Sequence, residues 1–133
     1  MTTFVDTSAI LAVLDRTDHR HEPCAETWTA LAEGDEPLVT SSYVLVELIS
    51  LAQRRLGWES VRAIDTAVTP VLDVAWTDAA DHRAGLTTLL QSKRRKLSLV
   101  DCVSFAVMRR LRISRAFTLD RQFRQAGFRV VPD

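Results

Sequence analysis

Only two cysteines, Cys24 and Cys102, occur in the chain of 133 residues, and they form no CxxC pair, so no disulfide framework is expected. Both fall on expected apolar helix faces, where a free cysteine serves as a small hydrophobe. There is no Pro/Gly-rich linker, no internal repeat and no low-complexity tract. No run of about twenty apolar residues and no N-terminal signal pattern occurs, and the expectation is a soluble cytoplasmic protein with no membrane contact. Net charge is also missing, at zero overall. That zero conceals a division: residues 1–92 hold 14 acids and 6 Lys/Arg, whereas residues 93–133 hold 11 Lys/Arg and 3 acids. An asymmetry of this kind points towards a charged or polyanionic partner.

What is present is an ordinary globular balance, 47% hydrophobic and 26% charged. A chain of this length buries about two-thirds of its unfolded surface as one domain, residues 1–133. Short β-prone runs at Thr3–Val5, Leu38–Thr40, 71–74, 116–118 and 128–131 alternate with segments of helical periodicity. The helices are expected over 9–14, 23–32, 43–56, 58–68, 79–92, 100–111 and 120–126, with Ser41 or Ser42 capping the third and Thr77 the fifth. Pro70 is expected to end the fourth. The third is apolar almost all round and reads as largely buried. Strands alternating with helices imply βαβ units, hence an α/β fold: a three-layer α/β/α domain around a mainly parallel sheet of about five strands.

Four acids stand out against this frame. Asp6 follows the first strand, Asp120 comes two residues after Thr118 at the end of the fourth, and Asp101 lies in the first turn of its helix. If strands one and four are neighbours, these three share the crevice where the winding direction of the sheet changes. Glu47 sits among apolar residues in the third helix, where a carboxylate is rarely buried unless paired, protonated or metal-bound. Each acid has a simpler role open to it. Asp6 and Asp120 suit helix N-caps, Ser98-x-x-Asp101 fits a capping box, and Glu47 can reach solvent through a gap in the apolar stripe. Two unit charges ~4 Å apart repel by about 4 kcal/mol at an effective dielectric near 20, so clustered carboxylates call for protons or a divalent cation. Hard oxygen ligands without histidine or cysteine favour Mg²⁺ or Mn²⁺ over Zn²⁺. His19, His21 and Cys24 form an H-x-H-x-x-C that lacks a fourth ligand and reads as a helix start, not a zinc site.

The ordered set Val-Asp6-Thr-Ser, a mid-chain helical Glu47, Leu-Ser-Leu-Val-Asp101 and Thr118-Leu-Asp120-Arg-Gln-Phe resembles PIN-domain ribonucleases. More narrowly it resembles VapC toxins of type II toxin–antitoxin (VapBC) modules, over essentially the whole chain. The resemblance implies a PIN-like fold and a Mg²⁺- or Mn²⁺-dependent endoribonuclease that hydrolyses RNA. Asp6 and Asp101 would be its main metal ligands, and Glu47 and Asp120 would complete the catalytic acids. Ser8 and Thr118 would position water or the ligands. It further implies a homodimer and a cognate VapB-type antitoxin. The basic run Lys93-Arg94-Arg95-Lys96 is either a solvated loop or a set of RNA phosphate contacts beside Asp101. Two other classes remain open on the residues alone. One is a non-catalytic RNA-binding or scaffold protein. The other is a phosphoacceptor signalling domain, which would need a strand-end aspartate in mid-chain and a late lysine; Asp73 stands inside its run and no lysine follows Lys96.

Overall fold

Phe4 and Val5 are adjacent on a three-residue strand, so pleating sends them to opposite faces, and each belongs to a different hydrophobic core. The computed structural model describes residues 1–133. Its elements are β1 (Thr3–Val5), α1 (Thr7–Leu14), α2 (His21–Glu33), β2 (Leu38–Ser41), α3 (Ser42–Arg55), α4 (Trp58–Ala63), β3 (Asp73–Ala75), α5 (Ala79–Ser92), α6 (Leu99–Arg110), β4 (Arg115–Phe117), α7 (Arg121–Gln125) and β5 (Arg129–Val131). The five strands are all parallel, in the order β3-β2-β1-β4-β5. The chain winds from β1 through β2 to β3, then crosses back to β4 and β5. The winding therefore reverses between β1 and β4, the neighbours on which the crevice expectation depended.

One core gathers Phe4, Ala116, Phe105, Val107, Met108 and Phe123 beneath α6 and α7. The other gathers Val5, Phe117, Ile10, Leu38, Ile64 and Val68 beneath α1, α2 and the segment after α4. A sheet with helices on both faces is the three-layer arrangement that the alternation implied. Cys24 and Cys102 are free and buried, one in each core. No helix is long and apolar enough to cross a membrane.

Several local expectations are corrected. The helix buried on most sides is α6, with seven buried residues, and not α3, with four. Helix α3 gives Val44 to one core and Leu48 and Ala52 to the other. It thus runs past the sheet rather than under it and leaves Val46 64% exposed. Asp78, not Thr77, caps α5, accepting from the Asp81 amide at 2.8 Å. Helix α4 does not run on to Pro70; it widens into a π turn over Ile64–Val68 and tightens into a 3₁₀ turn over Thr69–Val71. The third strand consequently starts at Asp73 rather than at 71, and Asp73 stands at its amino end, away from the crevice. That position removes the aspartate a phosphoacceptor domain would need.

Gly85 permits α5 to lie against α6. A Cβ there would stand 2.5 Å from Val103 Cγ2 and 3.0 Å from the Val103 backbone nitrogen. Alanine would gain about 1 kcal/mol of helix propensity, but the helices would have to separate. The expected net result for Gly85→Ala is a loss of about 1–3 kcal/mol in urea unfolding. A stabilised variant would show that this approach does not hold the two helices together.

Candidate active site

Residues that end parallel strands and open the following helices come together at one edge of the sheet, and here they enclose a cleft. It has a volume of about 420 Å³ and is lined by Asp6, Thr7, Ser8, Leu11, Asp18, Glu47, Leu51, Arg55, Lys96, Ser98, Asp101, Leu119 and Asp120. All four expected acids line it, drawn from the ends of β1 and β4 and from α3 and α6.

Asp6 is held by the pairing of β1 with β4. Val5 is in register with Phe117, and the Asp6 amide donates to the Phe117 carbonyl at 3.0 Å. This sets the Asp6 side chain beside Thr118, whose hydroxyl donates to Asp6 Oδ2 at 2.7 Å; Ser8 Oγ donates to the same oxygen at 2.9 Å. Both hydroxyls are themselves fixed, Ser8 Oγ accepting from the Leu119 amide and Thr118 Oγ1 from the Asp120 amide. Asp6 occupies the N-cap position of α1 yet makes no side-chain cap bond. The simpler role left open to Asp6, that of a helix cap alone, is thus not the one it plays, because its acceptor oxygen is turned to the Thr118 and Ser8 hydroxyls instead. Asp101 and Ser98 do form a capping box: the Asp101 amide donates to Ser98 Oγ at 3.0 Å and the Ser98 amide to Asp101 Oδ2 at 3.1 Å. Asp120 caps α7, accepting from the Gln122 amide through Oδ1 at 2.9 Å. For Asp101 and Asp120, capping takes one oxygen, and both residues line the cleft.

Asp6 is 3% exposed and Asp101 6% exposed. Burial is the main cause that pushes the Asp6 carboxyl up to about 6, opposed by the Thr118 and Ser8 hydroxyls and by the Thr7 amide, with the negative charge of Asp120 adding to the rise. Burial likewise pushes Asp101 up to about 7, against the Ser98 amide and with the charges of Asp120 and Asp6 adding. Two partly protonated carboxylates that feel a third are a site short of positive charge.

The donor set fits a hard divalent cation. Only carboxylate and hydroxyl oxygens reach the cleft from the acidic side. Both hydroxyl bonds to Asp6 fall on Oδ2, and one oxygen each of Asp101 and Asp120 is uncommitted. No three acidic, histidine or cysteine side chains stand close enough to chelate one ion as a group. An ion here would take two carboxylates and keep several waters, the habit of Mg²⁺ rather than of a caged Zn²⁺. His19, His21 and Cys24 do not converge: His19 is exposed, His21 Nδ1 is bonded to the Ala12 carbonyl at 2.8 Å, and Cys24 is buried.

Of the basic run, only Lys96 lines the cleft. Lys93 adopts a left-handed conformation, φ 52°, to end α5. Arg94 bonds Gln125 Oε1 at 2.9 Å, and Arg95 is exposed. Glu47 is half-buried and faces the cleft from α3. Sequence reasoning missed Arg55 and Asp18. Glu47, Leu51 and Arg55 recur every four residues, a helical stripe that would have placed Arg55 on the same face as Glu47.

The PIN-domain family profile matches residues 3–129. The chain belongs to the PIN-domain family. This PIN domain is 34% identical over 126 residues, 94% of each chain, to the 23S rRNA-specific endonuclease VapC20 of Mycobacterium tuberculosis. The crystal structure of VapC20, described as a sarcin–ricin loop cleaving toxin, superposes with a TM-score of 0.84 at 32% identity, covering 96% of both chains. VapBC2 from Rickettsia felis, solved bound to a DNA fragment from its promoter, gives a TM-score of 0.71 at 14% identity over 98% of this PIN domain and 97% of that chain. The second likeness is one of fold.

Proposed function

We propose that this PIN domain is a metal-dependent endoribonuclease, the toxin of a VapBC-type toxin–antitoxin module, and that it cuts RNA in the cytoplasm. The observation that carries the reading is the meeting of Asp6, Glu47, Asp101 and Asp120 in one open cleft at the winding reversal of the sheet. Asp6 and Asp101 would hold a Mg²⁺ or Mn²⁺ ion, with Asp120 and Glu47 acting on it through water. When bound, such an ion supplies the positive charge that polarises a phosphoryl oxygen and favours ionisation of water. Ser8 and Thr118 orient the Asp6 carboxylate and keep its Oδ2 occupied. Asp120, which lines the cleft and keeps one oxygen outside its capping bond, would take a proton from an incoming water. Lys96 and Arg55 bring cationic side chains to the same walls for the RNA backbone.

The kinship with VapC20 makes 23S rRNA, and its sarcin–ricin loop in particular, the first substrate to try. A homodimer and a VapB-type antitoxin that covers the acidic cleft with a basic side chain complete the proposal. The test is incubation of the purified, antitoxin-free protein with ribosomes in Mg²⁺ and mapping of the new RNA ends. Discrete ends that vanish in EDTA are expected. RNA that is bound but left uncut at all Mg²⁺ and Mn²⁺ concentrations would make the protein a binding scaffold.

A further inference from the structure

A second cavity, of about 180 Å³, opens on the other side of Asp120. The two share the wall Leu119-Asp120, but the second is rimmed by Arg20, Arg121, Arg124 and Asp133 and backed by Thr118. Its position follows from strand pairing. Phe117 is in register with Val131, and the Thr118 amide donates to the Val131 carbonyl at 3.1 Å, so the residues after β5 lie directly beside the exit from β4. Arg20 comes from the start of α2, and Arg121 and Arg124 come from α7.

The charges of this cavity are unevenly satisfied. Arg124 Nη2 contacts Asp133 Oδ1 at 3.1 Å, but the two side chains are 62% and 90% exposed. A pair so open to water is worth little and is easily exchanged. Neither Arg20 nor Arg121 has a carboxylate within ion-pair distance. Three guanidiniums, two of them unpaired, thus stand beside a cleft whose charged residues are mainly acidic. Guanidinium is the side-chain group best matched to phosphate oxygens, which it binds through paired N–H donors. A strand of RNA that presents one phosphodiester to the acids must carry its neighbouring phosphate out of that cleft, and on this side the arginine cavity receives it. The acidic cleft itself holds only two cationic side chains, Lys96 and Arg55, against five carboxylates.

Resting on the nuclease reading, we infer that the cavity of Arg20, Arg121 and Arg124 is a subsite for a backbone phosphate of the RNA next to the one that is cut, and that Asp133 occupies Arg124 until RNA displaces it. The subsite binds without reading sequence.

The test uses a synthetic stem-loop with the sarcin–ricin sequence of 23S rRNA. Its binding is followed in EDTA and its cleavage in Mg²⁺, with the fold of each variant checked by circular dichroism. Arg121→Ala/Arg124→Ala should weaken binding and raise KM roughly tenfold, and should make the slope of log affinity against log salt shallower by about 0.7, the loss of one single-strand phosphate contact. Asp133→Asn, which frees Arg124, should tighten binding in EDTA by about twofold or more. A wild-type affinity and salt slope in the double variant would overturn the subsite, as would loss of antitoxin binding with RNA affinity unchanged, which would assign the cavity to the protein partner. The same contrast in binding between wild type and double variant, with no cleavage by the folded wild type in Mg²⁺, would overturn the nuclease reading and leave the cavity as an RNA-phosphate site only.

Discussion

Asp101→Asn and Asp6→Asn should each lower RNA cleavage at about pH 8 by at least ~10³-fold, about 4 kcal/mol of transition-state stabilisation, while raising the melting temperature of the metal-free protein. Asparagine is the informative replacement because it keeps the local hydrogen bonds and removes only the charge. At position 101 the amide oxygen can still accept from the Ser98 amide, so the capping box that starts α6 survives. At position 6 it can accept from both Ser8 and Thr118. What disappears is a buried negative charge that burial and the neighbouring aspartates oppose, and with it the ability to hold a cation. Activity and stability therefore move in opposite directions at these two positions, as expected where a site is built against the interests of the fold. Gel analysis of cleaved rRNA and a thermal melt in EDTA read the two effects separately. Near-wild-type cleavage by either variant, in a preparation free of contaminating nuclease, would remove that carboxylate from the site.

Acidification is expected to stabilise the metal-free protein. Asp6 and Asp101 titrate near 6 and 7 in the folded state, above the ordinary carboxyl value of 3.8 that applies to the unfolded chain. Between about pH 4 and pH 7 the folded state therefore binds more protons than the unfolded one, and stability falls as pH rises. The contribution is fully present below about pH 4 and is lost as pH passes through the two folded values. Because the two carboxylates interact, the pair titrates as a unit, with a total effect on the order of a few kcal/mol. Asp15 and Glu36 are shifted downwards, so their opposing effect sets in only below about pH 5, beneath the span from about pH 8 to about pH 5 in which the rise is read. Melting temperatures in EDTA should rise from about pH 8 to about pH 5, and millimolar Mg²⁺ should flatten the profile by substituting for the protons. The Asp6→Asn/Asp101→Asn double variant should show neither the rise nor the Mg²⁺ response. A flat profile in the unmodified protein would mean that the two carboxyls titrate normally.

The sheet and the acids were legible in the sequence for one reason. In parallel α/β domains the strand end and helix start that follow each other in sequence also meet in space. Asp6 and Asp120 sit at such junctions, and Asp101 opens the helix that leads into β4, a helix whose start lies at the same edge, so topology alone placed the three together. Glu47 lies inside α3, and its direction depended on which face of that helix is covered, which the run Val44–Ala52 does not reveal. The structure resolves it by letting α3 cross from one core to the other, which leaves Val46 outside and turns Glu47, Leu51 and Arg55 towards the cleft. The basic run 93–96 was read as a unit, but a left-handed turn at Lys93 sends its four side chains in different directions. Turn geometry of that kind is set by the end of α5 and the start of α6, not by charge. The arginine cavity left no sequence signal, because Arg20 and the 121–124 pair are about a hundred residues apart and meet only through the pairing of β1, β4 and β5.

The hydroxyl of Thr118 closing on Asp6 also dates the birth of the site. A ribosome releasing this chain delivers Asp6 first and Thr118 only 112 residues later. Until β4 emerges and pairs with β1, Asp6 has no partner strand on that side and Asp120 has not been made. The nascent chain is therefore harmless for nearly the whole of its synthesis, and premature termination anywhere before Thr118 yields a product without a cleft. For an enzyme proposed to attack the machinery that makes it, the order of the strands is itself a delay.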